Sequence, residues 1–154
     1  MRTLVLIGIG ILLAACQPLA PKTANDELIT RTSPHSVAET MDRLEAAVTA
    51  KGAKVFARIN HGAGAQSIGE VLTAEEVLIF GNPELGTPLM QIDPRMGLDL
   101  PVKILVWDDN GQTRIVFLNP AKLGAWYGIE ATNPVLIKMR GVLETVSKEA
   151  SRED

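Results

Sequence analysis

The feature that most restricts this chain is a pentapeptide, Asp108-Asp109-Asn110-Gly111-Gln112, set between two β-rich apolar runs at 102–107 and 113–118. Asn-Gly accommodates positive φ at both central positions of a type I′ turn, whose twist matches that of the flanking strands. An antiparallel hairpin is therefore expected, with Gly111 at positive φ. A lone hairpin is not stable in water and needs further strands and a covering layer. The composition can supply both. Of 154 residues, 46% are apolar and 21% charged, enough for one domain with a real core and too balanced for a disordered chain or a polytopic membrane protein. Cys16 is the only cysteine, so the core must hold without disulfides.

Upstream of the hairpin the apolar pattern switches between periods. Residues 27–32 have short strand character. Ser36, followed three residues later by Glu39, forms a capping box. Val37, Met41, Leu44 and Val48 then trace one apolar stripe at helical spacing, stopped by Gly52. From Lys54 to Asn60 a period of two sets Val55, Ala57 and Ile59 against Lys54, Phe56 and Arg58. Gly62, Gly64 and Gly69 leave 61–70 no more than a loose helix or turn. Val77-Leu78-Ile79-Phe80, closed by Gly81, reads as a buried strand.

Within the Pro- and Gly-rich stretch 82–101, Thr87-Pro88 predicts an N-cap and a short helix over 88–93. Asn119-Pro120 and Asn133-Pro134 open two further helices, the second carrying Val135, Met139, Val142 and Val146 on one face. The polar tail 148–154 is expected to fray. The order β-α-β-(α)-β-α-β-β-α-α predicts an α+β two-layer sandwich, a mainly antiparallel sheet covered by helices on one face. The uncovered face is expected to form a homodimer anchored by Phe56 and Trp107.

The N-terminus reads as a targeting segment. Arg2 precedes an unbroken apolar run over 4–15. As a helix that run would rise only about 18 Å, against roughly 30 Å of hydrocarbon, so a signal peptide over 1–15 fits better than a membrane span. The run ends Leu13-Ala14-Ala15-Cys16, which resembles the bacterial lipobox. The resemblance implies a lipoprotein with Cys16 carrying diacylglycerol and fatty acyl chains such as palmitate. A tether over 16–26 and a single domain over 27–147 follow. Gln17 in place of Asp resembles the Gram-negative pattern for outer-membrane sorting. The expected location is thus the outer membrane, with the domain facing the periplasm. A net charge of −3 and the lack of a basic run exclude a nucleic-acid binder.

Phe80-Gly81-Asn82-Pro83-Glu84-Leu85-Gly86-Thr87-Pro88-Leu89-Met90-Gln91 is distinctive, and Gly97-Leu98-Asp99-Leu100-Pro101, Val106-Trp107-Asp108 and Asn119-Pro120 continue the pattern. Together they resemble the bacterial domain of unknown function 302 family, over about 28–139. Ile59-Asn60-His61 is similar to the family's Ile-Asp-His, with Asn60 replacing the acid and a Gly-rich stretch replacing the Ala-rich helix that usually follows. The resemblance implies a compact α+β domain, dimeric, with no settled reaction.

Few residues promise chemistry. His35 and His61 are the only histidines, and no Gly-x-Ser-x-Gly elbow is present. Gly62-Ala63-Gly64 lacks the rest of a phosphate-binding loop. Asp93 and Asp99 sit beside Pro94 and Pro101, where they are expected to bond their own turns. A soft metal site from His61, Met90 and Met96 has no tight spacing behind it, while Met41 and Met139 belong to core stripes. No metal or cofactor is expected. What remains is a cleft along 82–101, lined by Asn82, Thr87 and Gln91 and flanked by His61, which leaves a strand into a glycine. The reading is a small-ligand-binding or protein-interaction module rather than an enzyme. The alternatives are a hydrolase-like enzyme using His61 with Glu84, Asp93 or Asp99, and a metal- or haem-binding protein.

Overall fold

The computed structural model describes residues 27–153. The leader, Cys16 and the tether lie outside the described residues. The elements follow in the order β1 (Leu28–Ser33), α1 (Val37–Ala50), β2 (Lys54–Asn60), α2 (His61–Ser67), β3 (Glu75–Gly81), α3 (Pro83–Ile92), a short 3-10 helix (Pro94–Leu98), β4 (Val102–Asp109), β5 (Gln112–Leu118), α4 (Pro120–Trp126) and α5 (Pro134–Ala150). The sheet order is β1-β5-β4-β3-β2, with every neighbouring pair antiparallel. Leu78, Phe80, Ile104, Val106, Ile115 and Phe117 fill one face of the sheet and pack with Met41, Leu44 and Val48 of α1 and Leu136, Leu143 and Val146 of α5. Both helices cover the same face, so the architecture is the α+β two-layer sandwich that the element order predicts.

The hairpin forms as the Asn-Gly pair dictates. Asp109 pairs with Gln112, and the two residues between them, Asn110 and Gly111, have φ of 54° and 89°. The Asp108 carboxylate accepts a hydrogen bond from the Gly111 amide at 2.7 Å, which closes the turn.

Three expectations need correction. First, α3 begins at Pro83, not at Pro88. The Asn82 side chain accepts from the Glu84 amide at 2.9 Å and Pro83 takes the first helical position, as Asn119-Pro120 and Asn133-Pro134 do for α4 and α5. Pro88 lies inside the helix, where its missing N–H costs one backbone hydrogen bond. Second, the alternation of β2 is broken. Val55 pairs with Phe80 but Ala57 pairs with Ile79, leaving Phe56 as the extra residue of a bulge. Beyond it Arg58 and Asn60 turn to the helical side, where both bond Glu76, at 2.6 and 3.1 Å. Phe56 stays beside Lys54, whose ammonium lies 5.4 Å from the centre of its ring. Its ring sits beside Gly81.

Third, the tail from residue 148 does not fray. The helix runs to Ala150, which is fully buried, and the backbone carbonyl of Arg152 lies 2.9 Å from Nε2 of His35. Ala150 continues the stripe of Leu143 and Val146 at helical spacing, which extends the apolar contact one more turn.

Replacing Gly111 by Val forces a β-branched residue into the left-handed region. The variant is expected to lose roughly 1–3 kcal/mol of stability in urea unfolding. An unchanged unfolding midpoint would show that the turn tolerates a side chain there.

Candidate ligand-binding cleft

The stretch between β3 and β4 does not run directly from one strand to the next. It rises as α3, turns through the 3-10 helix and returns to the sheet at Pro101. Between this excursion, the first half of α5 and the adjoining ends of β2, β3 and β4 lies a cleft of about 370 Å³. That is at the lower end of the range for small-molecule pockets. Phe56, Phe80, Leu85, Met90, Leu100 and Val142 give it apolar walls, while Lys51, Asn82, Glu84, Thr87 and Lys138 supply its polar groups.

Glycines keep the space open. A β-carbon on Gly81 would come within 3.3 Å of the Pro101 ring, so this glycine lets the strand end lie against Pro101. One on Gly86 would meet Leu100 and Met90 at 3.7 Å, ordinary contact at the wall of the cleft. The excursion is braced by its acids. Asp93 caps the 3-10 helix by accepting from the Arg95 amide at 2.9 Å and from the Arg95 guanidinium, whose hydrogen bonds hold the Asp93 carboxyl below its usual range. Asp99 accepts from the hydroxyl of Tyr127 at the end of α4 rather than bonding its own turn. This hydrogen bond, reinforced by desolvation, holds the Tyr127 phenol above its ordinary pKa.

Asn82 and Thr87, anticipated as ligand contacts, do line the cleft, although the Asn82 side-chain oxygen also caps α3. Gln91 is exposed near the end of α3 and is not part of the lining. His61 is separated from all of them. It follows Asn60, which pairs with Glu76, whereas Asn82 follows Gly81, which pairs with Lys54. The two thus leave opposite ends of the β2–β3 ladder, about 20 Å apart at ~3.4 Å per residue. Glu84, Asp93 and Asp99 all lie at the end away from His61, so the histidine–carboxylate pairing loses its geometry.

The methionine site fails for a similar reason. Met90 lines the cleft, Met96 is fully buried in the core, and His61 is remote. Among the described residues no group of three or more His, Cys, Asp or Glu side chains is placed to hold a metal ion. Phe56, Lys51 and Lys138 are wall residues that the sequence reading missed. The first depends on the bulge, and the two lysines come from segments distant in sequence.

An α+β sandwich with an apolar cleft, and with no assembled catalytic group among the described residues, is the class these features define. The chain belongs to the family described as Domain of unknown function DUF302, which matches residues 29–146. A crystal structure of an uncharacterized conserved DUF302 protein from Bacillus stearothermophilus shares the fold, with a TM-score of 0.74 and 22% identity over 81% of this chain and 98% of that one. The chain is also similar to fluoride-specific ion channel FluC 1 of Brucella suis biovar 1, at 43% identity over 112 residues, covering 72% of this chain and 44% of that protein. The same identity is found with FluC 1 of Brucella abortus biovar 1, of which 42% is covered. This chain thus spans less than half the length of the curated relatives it matches. Among its described residues no helix is long and apolar enough to cross a membrane.

The chain has one tyrosine, so its titration can be read without ambiguity from phenolate absorbance. We expect a midpoint above the ordinary value of about 10, and a lower midpoint in Asp99→Asn. Because the folded phenol is held neutral, the contribution of this contact is complete below the unfolded pKa and is lost as pH rises through the folded one. Identical midpoints in the two proteins would show that Asp99 does not hold the phenol.

Proposed function

We propose that this domain is a non-enzymatic binding module. Its cleft takes a small amphipathic molecule with an apolar body and an anionic head. The observation that carries the reading is the 370 Å³ cleft with its predominantly apolar lining. The head-group preference rests on Lys51 and Lys138 at the lining, opposed there by the single carboxylate of Glu84. Lys51 also bridges to Glu149 at 3.1 Å, so an anionic head would compete with that carboxylate for its ammonium. We further propose that the domain is held at the outer membrane, facing the periplasm, by lipid on Cys16. Leu13-Ala14-Ala15-Cys16 and the following Gln17 support that placement. The relatives named as ion channels carry a similar segment within a longer chain. The channel activity in their name is not assigned to this one.

A naphthalene sulfonate dye has an apolar body and an anionic head, and it fluoresces on entering an apolar site. We expect it to bind the folded protein and to be excluded by Gly86→Leu, whose side chain would extend from the cleft wall. The same change replaces a helical glycine and should raise stability by roughly 0.5–1 kcal/mol. Unaltered dye binding in a stable Gly86→Leu protein would overturn the cleft reading.

A second reading, the homodimer, is favoured by the uncovered sheet face. Rows of side chains cross it: Glu75, Trp107 and Arg114 in one, then Val77, Leu105 and Val116, then Ile79 beside Lys103. A twofold axis along β4 would set Val77 over Val116 of a second copy and Glu75 over its Arg114. Lys103 would face its own copy in the last row, a repulsion that its long exposed stem relieves by turning the ammonium outward. Leu105→Asp at the centre should give a monomer in sedimentation where the unaltered chain sediments as a dimer. A monomeric unaltered chain at all concentrations would exclude this reading.

A further inference from the structure

The start of the described chain and a group of exposed apolar side chains share one end of the sheet. Leu28 pairs with Leu118, and the Asn119 amide donates to the Glu27 carbonyl, so the tether enters beside the start of α4. At this same end the 3-10 helix exposes Leu98 at 82%, α3 exposes Ile92 at 57% and α4 exposes Trp126 at 55%. The hydroxyl of Tyr127, next to Trp126, bonds Asp99, next to Leu98, so the two elements are adjacent. Met90, 37% exposed in the cleft wall, would lie 3.7 Å from a β-carbon on Gly97. Met90 and Gly97 both line the cleft, which therefore adjoins this end of the domain.

We propose that this end of the domain, formed by the 3-10 helix, the end of α3 and the end of α4, rests on a lipid surface with Trp126 and Leu98 in the interface. The inference builds on the Cys16 anchor proposed above. Trp has an apolar ring and a polar N–H, which suits the boundary between headgroups and acyl chains. Chain length supports the orientation. From Cys16 to Glu27 the backbone spans at most about 40 Å when fully extended. With the tether end down, that length is slack. With the molecule inverted, the attachment point stands off by the length of the sheet, about 20 Å at ~3.4 Å per residue, which takes up about half of that reach. A rival apolar group, Ile68, Val71 and Leu72, is exposed at the opposite end, away from the point where the tether enters. Docked tether end down, the cleft would lie close to the bilayer, where amphipathic molecules are concentrated.

The two tryptophans lie at opposite ends. Trp126 is at the tether end, whereas Trp107 pairs with Glu75 beside the segment that holds Val71. Full-length protein from a lipoprotein-processing host is reconstituted into vesicles of phosphatidylethanolamine and phosphatidylglycerol containing brominated phosphatidylcholine. Trp107→Phe leaves Trp126 as the only reporter, and Trp126→Phe leaves Trp107. Flotation of the wild type and of Cys16→Ser is measured in parallel.

We expect bromolipid to quench Trp126 at least twofold more than Trp107, and Leu98→Asp to abolish the difference while the cleft still binds dye. Equal quenching, none, or stronger quenching of Trp107 in a protein that floats overturns the docking proposal alone. Flotation that survives Cys16→Ser overturns the anchor, with docking still judged by the two tryptophans. Failure of the wild type to float overturns both.

Discussion

The register of the β4–β5 hairpin decides which side chains this molecule hides. Strand side chains alternate with a period of two, so a slip of β5 by one residue against β4 would send Ile115 and Phe117 to the uncovered face and bring Arg114 under the helices. The two-residue turn forbids that slip. Asn110 and Gly111 close it at positive φ, with Asp109 directly opposite Gln112. With β4 and β5 fixed, β3 and β1 align on either side, and α1 and α5 have a continuous apolar surface to cover. The sandwich is thus organised outward from its most local contact, the kind that forms with little loss of chain entropy.

The cleft is a by-product of joining β3 to β4 by a long excursion instead of a tight turn. Antiparallel neighbours need only two residues between them. Here the chain from Asn82 to Pro101 intervenes, and it is held off the sheet by its own caps. Asn82 starts α3, Asp93 ends it and starts the 3-10 helix, and Asp99 ties the return path to Tyr127. A segment braced at three points cannot collapse onto Phe80 and Met139, so the apolar surface beneath it stays open. Gly81 and Gly86 complete the arrangement by withholding side chains where the wall is closest.

How much of this was legible depended on the range of the interaction. Hairpin, caps and helical stripes are set within a few residues, and the sequence shows them directly. The α3 start was misplaced because two N-cap–proline pairs, Asn82-Pro83 and Thr87-Pro88, compete five residues apart. Asn at the cap is the stronger, and Glu84 adds a favourable charge in the first turn. A count of alternating residues puts Ala57 and Arg58 on the wrong faces, because a bulge is invisible to it. Only the observed pairing reveals that Val55 and Ala57 face opposite sides. His61 was placed in the wrong neighbourhood because its glycine-rich surroundings suggest a site without saying which end of the sheet they occupy. The antiparallel β2–β3 ladder sends His61 and Asn82 apart, a fact of topology rather than of either local sequence.

Topology also links the two surfaces that the helices leave unused. The uncovered sheet face allows two in-plane twofold axes. An axis across the strands would reverse the second copy end for end and set Lys103 over Trp107. It would also send the two Leu28 ends in opposite directions. The axis along β4 preserves strand direction. It opposes Glu75 to Arg114 and leaves both tether ends, both clefts and both Trp126 side chains on the same side. Only this axis lets a dimer sit on a single bilayer with both copies docked alike. The charge pattern of the sheet face and the position of the chain entry are independent features of the sequence, and they select the same geometry.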